Sequence, residues 1–222
     1  MGDDFSLFPD PKKARRDGLI ATGGDLSIPR LLLAYRSGIF PWTADPITWW
    51  SPNPRAIFNL SDFHIPRSLA RTLRRGDFRV TFDEAFSEVI RNCRLIHSQK
   101  QESWIAPGFV TAYTELHRAG HAHSVECWKG DRLVGGVYGV AVGGLFAGES
   151  MFHNETDASK VALVHLFKHL RRLGYVLFDT QMLTPVTKSL GAIEVTRDDY
   201  LKRLAKAIAI QTRPFLKVST TD

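Results

Sequence analysis

Cysteine is scarce in this chain: Cys93 and Cys127 are its only two in 222 residues, far apart and in no CxxC pair. That excludes a disulfide framework and a zinc-cysteine cluster and leaves two ordinary reduced thiols. Long apolar runs are lacking too, since no window approaches the roughly 18–20 apolar residues a membrane span requires. The start, Met1-Gly-Asp-Asp, carries acids where a secretory signal carries a basic region, so the expected location is the cytoplasm. Acidic residues fall short of basic ones, 23 against 29, and the resulting net charge of +6 suits a polyanionic partner without requiring one. Repeats, low-complexity tracts and long linkers are absent. What remains, 44% hydrophobic and 23% charged residues, is enough to bury a core and excludes disordered and fibrous classes.

The first sixty or so residues are dense in Pro, Gly and Trp, as in Gly38-Ile-Phe-Pro-Trp42 and Trp49-Trp-Ser-Pro-Asn-Pro-Arg55, which is turn chemistry with little room for long elements. One helix stands out there, capped by Ser27, with Pro29 in its first turn and Gly38 stopping it. From Ala56 onward helical and strand patterns alternate. Pro66 to Arg75 reads as a short helix, Phe78 to Phe82 as a strand, and Asp83 as the cap of a helix containing Phe86, Val89 and Ile90. A helical segment from Phe109 to Arg118 precedes two strands, His123–Lys129 and Arg132–Val140, joined by the tight turn Gly130-Asp131. Gly144 to Met151 continues the meander. Then follow a helix from Ala158 to Leu173, a strand from Tyr175 to Thr180, and a helix, strand and helix at Thr187–Leu190, Ala192–Val195 and Arg197–Ile208. The predicted class is α+β: a small irregular N-terminal domain, residues 1–57, packed on an acetyltransferase-like (GNAT) domain, residues 58–222, with a mixed, mostly antiparallel sheet.

Several residue groups carry possible chemistry. Arg67, Arg71, Arg74 and Arg75 recur at helical spacing, so their guanidinium groups lie along one face where each can fork onto a phosphate. A solvated helix face has the same spacing. Arg79, Lys129 and Arg132 extend the patch if they lie beside it. The tryptophans Trp42, Trp49, Trp50 and Trp104 suit base stacking, an apolar pocket or core packing equally. Asp179 and Gln181 stand two apart at the end of a strand, where α/β sites commonly open, and strand periodicity places them on one face. Glu149 is an acid ending an otherwise apolar strand. His121 and His123 share a strand face with Cys127, but four strand residues span about 13 Å, too far for one coordination shell, so no metal is expected. No serine sits in a G-x-S-x-G elbow. Before the Ala158 helix the chain reads Ser150-Met-Phe-His-Asn-Glu-Thr-Asp-Ala-Ser-Lys160, without the glycine turn that cradles the CoA diphosphate in acetyltransferases.

Eight blocks resemble the bacterial leucyl/phenylalanyl-tRNA-protein transferases: Gly18-Leu-Ile-Ala-Thr-Gly-Gly-Asp-Leu26, Ala34-Tyr-Arg-Ser-Gly-Ile-Phe-Pro-Trp42, Trp49-Trp-Ser-Pro-Asn-Pro-Arg-Ala56, Gly120-His-Ala-His-Ser-Val-Glu126, Leu133-Val-Gly-Gly-Val-Tyr-Gly-Val140, Leu145-Phe-Ala-Gly-Glu-Ser-Met-Phe152, Ala158-Ser-Lys-Val-Ala-Leu163 and Ser189-Leu-Gly-Ala192. They span nearly the whole chain in order. The resemblance implies transfer of leucine or phenylalanine from tRNA to the N-terminal Arg or Lys of a protein, which marks that protein for degradation by the N-end rule. It also implies a two-domain acetyltransferase-like architecture and no cofactor, whether metal, ATP or CoA. Expected partners are the aminoacyl-tRNA and the acceptor protein, with no membrane and no second subunit.

Carried over by position, Tyr35, Trp42, Trp104, Val137 and Phe146 surround the aminoacyl end, Glu149, Asp179 and Gln181 serve catalysis, and Arg67, Arg71, Arg74 and Arg75 meet the acceptor stem. Thr180 stands where some members have Cys and Val137 where some have Met, the second bearing on pocket volume and the Leu/Phe/Met preference. An ester converted to a peptide runs downhill, so the enzyme need only position reactants and manage protons. Gln181 is expected to touch the reacting groups while Asp179 favours the developing charge; whether Asp179 is the base or the substrate assists stays open. Glu149 is also a candidate partner for the acceptor's basic side chain. A CoA-dependent acyltransferase and a non-catalytic tRNA-binding module are the competing classes.

Overall fold

The computed structural model describes residues 8–99 and 106–215. The N-terminal part is more regular than its composition indicates. Three short strands, β1 (Leu19–Thr22), β2 (Phe40–Ala44) and β3 (Ile47–Trp50), form an antiparallel sheet in the order β1-β3-β2, with helix α1 (Ile28–Arg36) between the first two. Gly18, Gly23, Gly38 and Pro46 stand at the ends of these strands, while Pro41 lies within β2. Ser27 stands at the start of α1 but its side chain makes no capping bond; the Asp25 carboxylate instead accepts the Ser27 N–H at 2.9 Å.

Beyond it come β4 (Arg55–Phe58), α2 (Arg67–Arg75), β5 (Arg79–Phe82), α3 (Phe86–Gln99), α4 (Pro107–Arg118), β6 (Ala122–Lys129), β7 (Arg132–Val142), β8 (Leu145–His153), α5 (Ala158–Leu173), β9 (Leu177–Gln181), α6 (Pro185–Ser189), β10 (Ile193–Val195) and α7 (Arg197–Ile208). Strands β4 to β10 make one sheet in the order β10-β4-β9-β8-β7-β6-β5, antiparallel except for β8 against β9. The class is α+β with a mixed, mostly antiparallel sheet. The division at residues 57 and 58 falls inside β4, whose residues Ala56 to Phe58 pair with β9 within this sheet.

Local signals account for most element ends. Gly76 and Gly174 adopt left-handed backbone after α2 and α5, a conformation that costs glycine little and stops a helix. Thr196 caps α7 through the Asp199 N–H, and Asp198 and Asp199 favour the helix's positive end. Asp83 does not cap α3 as expected. Its backbone is left-handed and its carboxylate turns to β6, accepting the Ser124 N–H at 2.8 Å and lying 2.8 Å from His123 Nδ1.

Alternation divides the sheet between two layers. Val134 and Val137 of β7 join a core with Leu163, Leu166, Phe167 and Leu170 of α5, while Tyr138 and Val140 join α1, α3 and α4 on the other side. The second core also takes Trp49 of β3, so the N-terminal sheet and the large sheet share one apolar interior. Helix α7 closes a third cluster, laying Tyr200 and Leu204 over Ile57, Leu145 and Leu177.

One glycine is required by this packing. A Cβ on Gly139 would stand 2.2 Å from the Ala147 carbonyl oxygen and 2.5 Å from the Phe146 ring. Neither neighbour can retreat, because both belong to the paired strand β8. Gly139→Ala is expected to cost about 3 kcal/mol, which in a domain of this size lowers Tm by roughly 6–12 °C in a thermal melt.

Candidate active site

Backbone pairing between the parallel strands β8 and β9 stops at Ala147 and Asp179. The residues just beyond, Gly148 and Glu149 on one strand and Thr180 and Gln181 on the other, line a cavity of about 440 Å³. A cavity at the carboxyl ends of parallel strands follows from the topology, since the chains part there and expose their backbone and side chains.

Two β-bulges shape its mouth. The β7–β8 register pairs Tyr138 with Ser150 but Gly139 with Gly148, which leaves Glu149 as the extra residue of β8. Likewise β4 pairs Ala56 with Gln181 but Ile57 with Asp179, leaving Thr180 as the extra residue of β9. A bulge breaks the two-residue alternation and re-aims the side chains beside it. Asp179 and Gln181 therefore do not share a face as their spacing predicts. Gln181 lines the cavity with its backbone in the left-handed region at φ 56°, whereas Asp179 turns inward and is buried.

Glu149 is the sole carboxylate on the cavity wall among the described residues. Its Oε1 accepts from Gln181 Nε2 at 3.1 Å and its Oε2 from the Tyr113 hydroxyl at 3.2 Å. Tyr113 in turn lies 2.5 Å from the Tyr35 hydroxyl, deep in the α1/α4 layer. Burial pushes the Glu149 carboxyl up to about 7, against the lowering effect of Tyr35 and Tyr113; the Asp179 charge raises it and Arg55 lowers it. A carboxyl poised there exchanges a proton at neutral pH.

Asp179 is held differently. Arg55 Nε and Nη2 fork onto its two oxygens at 2.9 and 2.6 Å, and the Tyr200 hydroxyl donates to Oδ2 at 2.8 Å. Both charged side chains are 1% exposed. Burial is the largest influence on Arg55 and opposes its charge, but the Asp179 carboxylate together with Tyr200 and Glu149 outweighs it and keeps the guanidinium protonated.

Of the other expected residues, some line this cavity and some do not. Trp42 and Val137 line the cavity with Phe58, Leu163 and Phe178, an apolar wall. Phe146 does not reach it: fully buried, it stacks on the back of Phe178 at 5.5 Å, so its effect on the pocket passes through that ring. Tyr35 also stands behind the wall, its hydroxyl against that of Tyr113 and itself in hydrogen-bond contact with the Glu149 carboxylate. Trp49 is buried against Phe8 and Trp50 packs on Trp42, while Trp104 lies outside the described residues.

On α2, Arg67, Arg71, Arg74 and Arg75 are exposed, with Leu69 and Thr72 turned inward. Arg75 pairs with Asp77 at 2.9 Å just past the helix. The intended extension of the patch is drawn off by acids, Arg79 by Glu84 and both Lys129 and Arg132 by Glu155. Thr72 bonds Asp157, which also holds Lys160 on the cavity wall, so the basic helix is moored beside the cavity.

Asp83, His117 and His123 form a separate group whose possible ligand atoms lie within 4.8 Å of one another. His123 Nδ1 faces Asp83, while His117 Nδ1 meets the Ala122 carbonyl at 2.8 Å, so the group ties the start of α3 to α4 and β6 through its own contacts. Cys127 is buried in the α5 core, away from any such set.

Residues 57–205 match the family described as leucyl/phenylalanyl-tRNA protein transferase, and residues 24–53 match the N-terminal domain of the same family. The chain belongs to the leucyl/phenylalanyl-tRNA protein transferase family. The leucyl/phenylalanyl-tRNA–protein transferase of Syntrophobacter fumaroxidans is 54% identical over 91% of this chain and 88% of its own length. That of Anaeromyxobacter sp. strain K is 52% identical over 90% and 88%, and that of Shewanella baltica OS155 45% identical over 93% and 89%. Among solved structures, L-PGS from Bacillus licheniformis aligns with a TM-score of 0.45 at 13% identity, over 72% of this chain and 54% of that one.

Within this transferase, sequence reasoning missed three residues of the site: Arg55, Tyr113 and Tyr200. A signal existed for the first, since Arg55 opens the otherwise apolar strand Arg-Ala-Ile-Phe, where a lone charge requires a buried partner. Tyr113 and Tyr200 are ordinary apolar-face residues of amphipathic helices and carry no such mark.

Proposed function

We propose that this chain transfers leucine or phenylalanine from aminoacyl-tRNA to the N-terminal Arg or Lys of an acceptor protein, marking it for N-end rule degradation. Family membership along most of the chain supports the reaction. The observation that carries the site assignment is the pairing of Glu149 with Gln181 at the open end of an apolar cavity. The architecture is read as two-domain, with an acetyltransferase-like second part, because a meander of β5 to β8, helix α5 and a parallel β9 follow in that order.

The aminoacyl side chain enters the wall of Phe58, Val137, Leu163 and Phe178, which excludes polar groups by desolvation. Trp42, half-buried on the same cavity, offers a face for the terminal adenine. The acceptor's amine attacks the ester carbonyl, the peptide bond forms, the ester C–O bond breaks and the ribose hydroxyl leaves with a proton. Gln181 orients the amine and carbonyl, Glu149 takes the proton that the acceptor's ammonium must lose before it attacks, and the second proton, shed by the nitrogen as the peptide bond forms, goes to the departing ribose oxygen. Asp179, sealed between Arg55 and Tyr200, acts through Gln181 rather than on the substrate. Along α2 the arginines meet acceptor-stem phosphates. Among the described residues no helix is long and apolar enough to cross a membrane.

The test is transfer of labelled leucine from leucyl-tRNA to a protein beginning with Arg, against a Met-initiated copy, without ATP or CoA. Label on the Arg protein alone is expected; label on neither overturns the assignment. Selection is tested at residue 137. Val137→Met fills the wall and is expected to move the Leu/Phe ratio of kcat/KM about 10-fold toward leucine, with Val137→Ala moving it toward phenylalanine. Equal ratios in all three remove residue 137 from the pocket.

A further inference from the structure

Arg55 lies just behind the cavity wall and touches elements on both sides of it. Its guanidinium carbon lies between the rings of Phe40, at 4.7 Å, and Tyr200, at 4.5 Å, and its Nη1 donates to the Gly38 carbonyl at 3.3 Å. Phe40 itself lines the cavity. The fork onto Asp179 fixes that carboxylate, and Asp179 Oδ1 has a second duty: it accepts the backbone N–H of Gln181 at 2.9 Å. This bond crosses the Thr180 bulge. Left-handed backbone is unfavourable for a residue with a side chain, so Gln181 stays there only if its surroundings impose it. From that backbone its carboxamide reaches Glu149.

We propose that Arg55, together with Tyr200, is a positioning residue for the transfer reaction: it locks Asp179 in the orientation that holds Gln181 across the β9 bulge and against Glu149. The proposal rests on the reading of Gln181 and Glu149 as the groups facing the reacting atoms. A charge pair alone would be met by many geometries. The two-point fork, the flanking rings and the Tyr200 bond leave Asp179 one orientation, and Arg55 joins the Phe40 wall to the Gln181 wall.

Removing Arg55 singly would strand a buried carboxylate and unfold the site, so the informative variant is Arg55→Met/Asp179→Asn, which deletes both charges while leaving an acceptor within reach of the Gln181 N–H. Two measurements are made on it. Amide hydrogen exchange at Gln181 is expected to quicken about 10–100-fold, with amides of β7 unchanged. In the transfer assay kcat, normalised to the tRNA-binding fraction, is expected to fall about 30–100-fold while KM for aminoacyl-tRNA stays within about three-fold, because the apolar wall and the basic helix are untouched. Arg55→Lys keeps the charge and loses the fork, and is expected to lie between wild type and the double variant in kcat. A folded double variant with wild-type Gln181 protection and wild-type kcat overturns the proposal, as does a loss confined to KM. Should wild type itself transfer nothing, the functional reading falls, and the exchange measurement still decides whether Arg55 holds Gln181.

Discussion

Glu149→Gln is expected to lower kcat at least about 100-fold, leave aminoacyl-tRNA affinity within about three-fold and raise stability above neutral pH. The three effects have one cause. Glu149 is carried into the cavity by the β8 bulge and stands at a carboxyl pKa of about 7, because burial works against its charge more than Tyr35 and Tyr113 relieve it. The groups facing it are Tyr35 from α1, Tyr113 from α4, Asp179 and Gln181 from β9, and Arg55 from β4. Below pH 7 the carboxyl already holds a proton and cannot take one from the attacking ammonium, so wild-type turnover should rise with pH through that value. The glutamine variant should lack this limb and keep only the ionisation of the acceptor amine, near 8.

Stability runs the other way. A carboxyl whose folded pKa is raised contributes most when protonated in both states, below about 4.3, and loses that contribution as pH climbs through the folded value. Above pH 7 the wild type bears the cost of a buried charge that glutamine avoids, and the variant should gain about 2 kcal/mol in a denaturant titration at pH 8. Lower turnover with higher stability separates a working acid from a structural one, whose loss would lower both. Normal turnover in Glu149→Gln would remove it from the proton path.

How far the sequence speaks is clearest at β9. The strand itself, the helix before it and the class of the fold follow from apolar periodicity, which is local, and the boundaries of α5 and α7 match their periodic segments, with Gly174 ending the first and Thr196 capping the second. The pairing of Asp179 with Gln181 on one face does not, because a bulge is a property of two strands in register and Thr180 carries no mark of it. The same holds for Glu149, which reads as the polar end of a strand and stands in its interior as the extra residue opposite Gly139. Arg55 and Tyr200, 145 residues apart, meet only once the sheet is assembled. The N-terminal sheet is obscured for a different reason: proline and glycine mark its corners so densely that four- and five-residue strands between them leave no periodic signal. Spacing alone does mark the arginine face of α2, since a nine-residue helix shows its periodicity directly.

That face carries the second large prediction. Arg71→Glu/Arg74→Glu is expected to weaken binding of aminoacyl-tRNA about 100-fold near 0.15 M salt and to reduce the slope of log K against log salt by about 2, close to one unit for each phosphate left without its arginine. Arg71 and Arg74 are the right pair because both are exposed and neither forms an ion pair among the described residues, whereas Arg75 is held by Asp77. A glutamate at 74 also opposes the negative end of α2 and costs about 0.3–1 kcal/mol of local stability, so Arg71→Ala/Arg74→Ala serves as the neutral companion. It should lose less affinity than the reversal and the same amount of slope. Neither variant touches the reacting groups: the path from α2 to the cavity runs through Thr72, Asp157 and Lys160, and all three are left in place. Turnover at saturating tRNA should therefore stay within about two-fold, with the whole loss in KM. Since the slope measures counterions displaced from phosphates and is blind to other kinds of interaction, an unaltered slope in both variants would mean that no phosphate reaches these arginines, however much the affinity had changed.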